Sequence, residues 1–175
     1  MTDKVLGLDS LMATKKSSER TFLTNSMLEA KHRYAEAWLD NAVELYRPIF
    51  AAGGHEIPPV LMSVGFADDG YKPSRKRNAL AICYSRQFSP DGINQIIVTP
   101  LRTEPLDLLW LLGHELIHAV DDCVHGHGPV FDEIAQMVGY WPNKKATIND
   151  LKKFDEMTAL MAKKLGRYPR SPFQF

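Results

Sequence analysis

The sequence predicts an α+β fold in a single domain, and three observations predict it. Apolar residues recur at three-and-four spacing near the N-terminus, in the centre and near the C-terminus, which is the helical period. Three short runs of strand-forming residues lie together between the first two helical stretches, separated by turn chemistry. The chain has 175 residues, 45% of them hydrophobic and 24% charged, which suits one core of ordinary composition.

The elements run in order. Residues 1–24 are polar and mixed in charge and read as a flexible N-terminal arm. From Asn25 to Ala52 the residues Met27, Leu28, Tyr34, Ala35, Trp38, Ala42, Leu45, Tyr46 and Ile49 keep helical spacing, with Pro48 expected to kink or shorten the end. Gly53-Gly54 stops that helix. Val60 to Phe66 is a first strand, Ala67 to Arg77 a polar loop, Ala79 to Arg86 a second strand and Asn94 to Thr99 a third. Ser89-Pro90-Asp91-Gly92 is a turn signal, and two hairpin-type connections predict a small, mainly antiparallel sheet. Pro105 sits in the first turn of the next helix, which is apolar nearly all round and is expected at the centre of the core. Gly113 weakens that helix, so another backbone is expected to approach it closely. Pro129 to Val138 is a short helix closed by Gly139, and Tyr140 to Asn143 is a loop. Thr147 to Leu165 is a last helix, capped by Thr147 or Asn149 and ended by Gly166. The domain is therefore placed at 25–166, with 167–175 as a C-terminal tail. Trp38, Trp110 and Trp141 are expected in the core.

Composition excludes several classes. The formal net charge is zero, so no global field draws the chain to nucleic acid or acidic membranes. Two cysteines, Cys83 and Cys123, exclude a disulfide-dense scaffold and a four-cysteine zinc site, and are expected as free, at least partly buried thiols. No segment approaches the roughly 20 apolar residues of a membrane span. The first residues include Asp3, Lys4 and Asp9 and no continuous apolar stretch, so no secretory signal is expected and the expected location is the cytoplasm.

The chemistry is carried by His114-Glu115-Leu116-Ile117-His118. Residues four apart on a helix point the same way, so both imidazoles can reach one metal ion at about 2.0–2.1 Å. Glu115 is offset around the helix, too far to be a natural ligand but well placed to take a proton from water activated by the metal. A catalytic zinc needs a third protein ligand. The downstream candidates are Asp121, Asp122, His125 and His127. On a continuing helix His125 would lie roughly 10 Å further along the axis than His118. His127 sits between Gly126 and Gly128, where a sharp reversal can bring it back over the ion, so geometry favours His127 and leaves His125 as the alternative. Asp121 is assigned to orient a ligand histidine through its second ring nitrogen.

His114-Glu115-Leu116-Ile117-His118-Ala119, followed by His127-Gly128-x-x-Phe131, resembles the SprT-like (Spartan-type) zincin metalloprotease domain. The resemblance runs from about Ser26 to Gly139. It implies a zincin-like single domain: a leading helix, a small sheet, a buried active-site helix, and a third histidine that opens a short helix. It also implies zinc as cofactor, His114, His118 and His127 as its ligands, and Glu115 as general base for hydrolysis of a protein or peptide substrate. Eukaryotic members cleave proteins crosslinked to DNA and depend on DNA. Many members add a zinc ribbon with paired cysteines, which this sequence lacks.

Lys72, Arg75, Lys76 and Arg77, with Tyr71 and Tyr84 on either side, form the one cluster suited to tracking a phosphate backbone, although a solvated basic loop explains them equally simply. Tyr140, Tyr84 and His125 are the candidate donors to an oxyanion. The leading expectation is a zinc-dependent metallopeptidase, with DNA-associated proteins as one substrate class. The alternatives are a zinc hydrolase of a non-peptide amide and a zinc-containing DNA- or protein-binding module. An intact Glu115 argues against the last, because a purely structural metal needs no base beside it.

Overall fold

Element order keeps to the predicted alternation, with two changes of substance. The computed structural model describes residues 23–66, 79–140 and 148–171. Helix α1 spans Ala35–Ala52, strand β1 Val60–Val64, β2 Ala81–Tyr84 and β3 Asn94–Val98. Helices α2 (Pro105–Val120), α3 (Pro129–Met137) and α4 (Ile148–Leu165) come next. Together they make one α+β domain. The basic loop cluster at 72–77, Trp141, the Thr147 cap, residues 1–22 of the arm and residues 172–175 of the tail lie outside the described residues.

The first change is at the leading helix, which starts ten residues later than Asn25. Residues Asn25–Met27 form a single 3-10 turn, and Ala30 makes a parallel bridge to Arg167. One carbonyl and one side chain of this stretch are claimed by the far end of the chain. Arg167 donates its N–H to the Glu29 carbonyl at 2.6 Å. The Asn25 side chain accepts from Tyr168 N at 2.7 Å and donates to Tyr168 O at 3.1 Å. A helix through the same residues would forfeit these bonds. Beyond Tyr34 the chain is helical through Pro48 to Ala52, so the proline does not shorten it. Arg167 and Tyr168 pack on the body: Tyr168 is fully buried, edge-on to Trp38 at 5.3 Å, and Trp38 Nε1 donates to Gly166 O at 2.9 Å.

The second change is in the sheet. Its order is β1-β3-β2, with β1 parallel and β2 antiparallel to β3, so it is mixed rather than mainly antiparallel. The Ser89–Gly92 turn does join β2 to β3 as a hairpin, with Gly92 N–H on Ser89 O at 3.0 Å. The β1–β2 connection is not a hairpin. β1 and β2 do not pair, and β3 lies between them. β3 takes the centre, paired along one edge with β1 and along the other with β2. Met62, Ile96 and Cys83 form one row across the three strands, and all are buried against the helices.

Helix α2 is central, as its all-round apolar pattern predicts. It packs on β2, β3, α1, α3 and α4, and Leu108, Leu109, Leu111, Leu112, Leu116 and Ile117 are fully buried. Gly113 faces side chains, not a backbone. A Cβ there would lie 2.8 Å from the Tyr140 ring and 3.1 Å from the Tyr46 hydroxyl. Both tyrosines use that closeness to bond carbonyls of α2: Tyr46 Oη donates to Leu109 O and Tyr140 Oη to Trp110 O, each at 2.7 Å. Burial pushes both phenols well above their ordinary range, which keeps them as neutral donors. Among the described residues no helix is long and apolar enough to cross a membrane.

Candidate metal centre

His114 and His118 lie one turn apart on the last two turns of α2, and their Nε2 atoms are 3.2 Å apart. The helix stops at Val120. The chain then reverses over Asp121–Gly128 and returns to the same face. His127 Nε2 arrives 2.8 Å from His114 Nε2 and 3.1 Å from His118 Nε2. The three nitrogens therefore converge on one point, and they form the only cluster of metal-ligating type among the described residues.

Hydrogen bonding alone cannot satisfy this arrangement. A neutral imidazole Nε2 is either a donor or an acceptor, never both. Among three such atoms at least one close pair must set donor against donor or acceptor against acceptor. A cation at their centre satisfies three lone pairs together. Two nitrogens about 2.05 Å from a tetrahedral zinc lie roughly 3.3 Å apart, close to the spacing seen here. The electrostatics agree. Burial, with His118 and His127 beside it, holds His114 well below the usual histidine range. Burial and His127 lower His118 to about 4, against a smaller opposing pull from Asp121. Burial lowers His127 too. All three are neutral near pH 7, the form that binds a metal.

Phe131 seats the triad. Its ring centroid lies 4.8 Å from those of both His114 and His118 and 5.2 Å from that of His127. Exposure grades across the cluster: His114 is buried, His118 half-buried and His127 exposed, so the centre opens to solvent on the His127 side. Glu115 is buried beside the cluster but contributes no atom to it. Burial raises its carboxyl to about 8, Cys123 nearby adds to the shift, and a bond from the Cys83 backbone N–H opposes it.

The reversal matches the sequence expectation only in part. Gly126 has φ +54, as a sharp turn needs, but Gly128 is at −87 and serves as the N-cap of α3. The left-handed positions are Asp122 (φ 49) and Cys123 (φ 60), unusual for non-glycine residues. Asp122 is held there by the 3-10 turn Arg86–Phe88 that follows β2 and by β3. Its carboxylate accepts from Arg86 N (3.0 Å), Arg86 Nε (3.0 Å) and Asn94 Nδ2 (2.9 Å). Burial works against its charge, but the Arg86 N–H, the Asn94 and Ser85 side chains and the Arg86 guanidinium outweigh it and lower its pKa. Asp122 is thus an anchor of the turn, not a ligand. Asn94, buried in an otherwise apolar strand face, was the legible sign that something polar meets β3.

Two assignments change. Asp121 does not orient a ligand histidine; its carboxylate takes the His125 backbone N–H at 2.8 Å and His125 Nδ1 at 2.7 Å. His125, held in this way at the surface, stays outside the triad. Of the proposed oxyanion donors, Tyr140 is fully buried with its hydroxyl on Trp110 O, which leaves His125 and the half-buried Tyr84. The thiols are as expected: Cys83 buried, Cys123 half-buried, both free.

No family model, curated protein or solved structure matches the chain.

Proposed function

We propose that this chain is a zinc-dependent metallopeptidase of the SprT-like type, with His114, His118 and His127 as metal ligands and Glu115 as general base. One observation carries the reading: three neutral imidazoles converge, open on one side, with a buried carboxylate on the same helix that is not a ligand. Zinc is the metal that three histidines with one open position suit best. Bound there, it would supply a Lewis acid that acidifies water and polarises a carbonyl.

The chain's own groups do the rest. Phe131 and the apolar floor of α2 hold the imidazoles in register and keep bulk water off their inner faces. The Cys83 N–H fixes the Glu115 carboxylate. Burial alone would keep Glu115 protonated near pH 7. A dication held by the three imidazoles would favour its ionised form, in which it accepts a proton from the attacking water and returns it to the leaving amine nitrogen. His125 or Tyr84 supplies the donor to the developing oxyanion. Substrate enters from the exposed His127 side. DNA-associated proteins are the substrate class that the family resemblance favours.

The test combines metal analysis with cleavage of a general protein substrate and of a DNA-bound protein, each with and without chelator and DNA. Zinc near one per chain and chelator-sensitive cleavage support the reading. Metal without cleavage of any protein would favour a binding module, and turnover confined to small amides a non-peptide hydrolase.

A further inference from the structure

The chain has two cysteines, forty residues apart, and the fold brings them together beside the general base. Cys83 lies on β2 and Cys123 in the turn that leaves α2. The two thiols are close enough to shift each other's pKa, Cys83 up and Cys123 down. Cys123 Sγ also donates to Cys83 O at 3.3 Å, and Cys123 N donates to His118 O at 2.8 Å. The Cys83 backbone is thus gripped on both sides: its N–H holds Glu115 and its carbonyl takes the Cys123 thiol. Neither thiol ligates the candidate metal centre. With the Cys123 sulfur 3.3 Å from the Cys83 carbonyl, the two side chains are neighbours, and a disulfide would bring their sulfurs to about 2.05 Å.

We propose that Cys83 and Cys123 form a reversible oxidation site: a hydroperoxide converts the pair to an intramolecular disulfide that ties β2 to the turn leaving α2 and slows hydrolysis at the adjacent centre. The slowing rests on the peptidase reading above; the disulfide does not. Cys123, the more exposed thiol, attacks one peroxide oxygen. The O–O bond breaks, an S–O bond forms, and one water leaves with the thiol proton. Cys83 sulfur then attacks Cys123 sulfur. The S–S bond forms, the S–O bond breaks, and hydroxide leaves as water with the second proton. The thiols give up two electrons and two protons, and hydrogen peroxide becomes two waters. The disulfide removes the S–H donor from the Cys83 carbonyl and pulls on the backbone that positions Glu115. The three imidazoles are left in place.

The experiment treats the metal-loaded full chain with hydrogen peroxide and follows intact mass, thiol alkylation, bound metal and peptide cleavage. The expected result is a loss of about 2 Da, one linked peptide containing Cys83 and Cys123, and reversal by dithiothreitol. With it, kcat falls about tenfold or more at unchanged metal content and recovers on reduction. Cys123→Ser keeps its rate under peroxide. Two thiols that still alkylate, separate sulfinic acids, or a link between two chains would overturn the oxidation site. A disulfide that forms while kcat holds, or equal inhibition of Cys123→Ser, would overturn the switch. If the reduced protein cleaves no peptide, the peptidase reading fails and the switch with it, and the mass measurement alone decides the disulfide.

Discussion

His114 and His118 reach the centre from a helix, His127 from a turn, and the two approaches are held by different physics. Helix α2 is locked by apolar burial on every side and by two tyrosine hydroxyls on its carbonyls. The reversal from Asp121 to Gly128 buries little. Val124 is 68% exposed, and the backbone holds three positive-φ residues in five. Its shape comes from directed bonds: Asp122 to Arg86 and Asn94, Asp121 to His125, and Cys123 to Cys83. Burial is forgiving of small errors in direction, whereas hydrogen bonds are not. The helix should therefore set the chemistry and the overall stability, and the turn should set how tightly the third ligand is offered.

The largest effect should come from the helix side. Glu115→Gln keeps the size of the side chain and the metal ligands but removes the proton acceptor. Cleavage is expected to fall about 10²–10⁴-fold with metal content unchanged, read by single-substrate kinetics beside elemental analysis. Full activity in this variant would exclude Glu115 as the base.

His127→Ala tests the turn side. It leaves two imidazoles on α2, a pair too few for a catalytic zinc site, so bound metal should be lost on dialysis. Thermal stability of the metal-free protein should change little, because His127 is the most exposed of the three histidines. Metal retained at full stoichiometry would point to His125 as the working ligand instead.

These expectations also show what was readable in the sequence. The helix half was legible because a local period fixes it: four residues is one turn, and the apolar pattern of α2 told that it is buried. His127 could be favoured because a glycine precedes it and a reversal was the only way back. The strand order was not legible. Local pattern says that residues 60–64, 81–84 and 94–98 are extended, but which strand takes the centre depends on contacts that no window contains. Asn25 to Tyr34 misled for a related reason. Its helical spacing is real, but its Glu29 carbonyl bonds Arg167 and its Asn25 side chain bonds Tyr168, more than a hundred residues away. Asp122 was invisible as an anchor because Arg86 and Asn94 meet it only in the folded chain.

Gly113→Ala breaks the helix side without touching a ligand. The new Cβ meets the Tyr140 ring at 2.8 Å, and that ring is pinned by its bond to Trp110 O. Neither can give way easily, so overpacking is expected to outweigh the helix propensity gained and to destabilise the fold by about 1–3 kcal/mol. A denaturant melt with unchanged m-value is the check. A more stable variant would mean that Tyr140 moves freely and that α2 is less tightly locked than its burial implies.

The smallest and most discriminating test concerns Asp122, where two explanations of the turn separate. If the left-handed conformation alone sets the difficulty, Asp122→Gly should be harmless or favourable, because glycine adopts φ 49 freely, and only Asp122→Ala should suffer. If the bonds from Arg86 and Asn94 shape the turn, both substitutions should loosen His127 alike. Alanine would then differ from glycine only by the left-handed strain it adds. The bonded reading is the one that the geometry supports, since removing the carboxylate also leaves the buried Asn94 amide with only its longer bond to Tyr84 O. Both variants should weaken metal binding about tenfold, in the range for residues that support ligands without touching the metal. Competition with a chelator measures that directly. Equal metal affinity in wild type and Asp122→Gly would show that the turn needs only its backbone shape, and that His127 is offered to the metal by conformation rather than by the sheet.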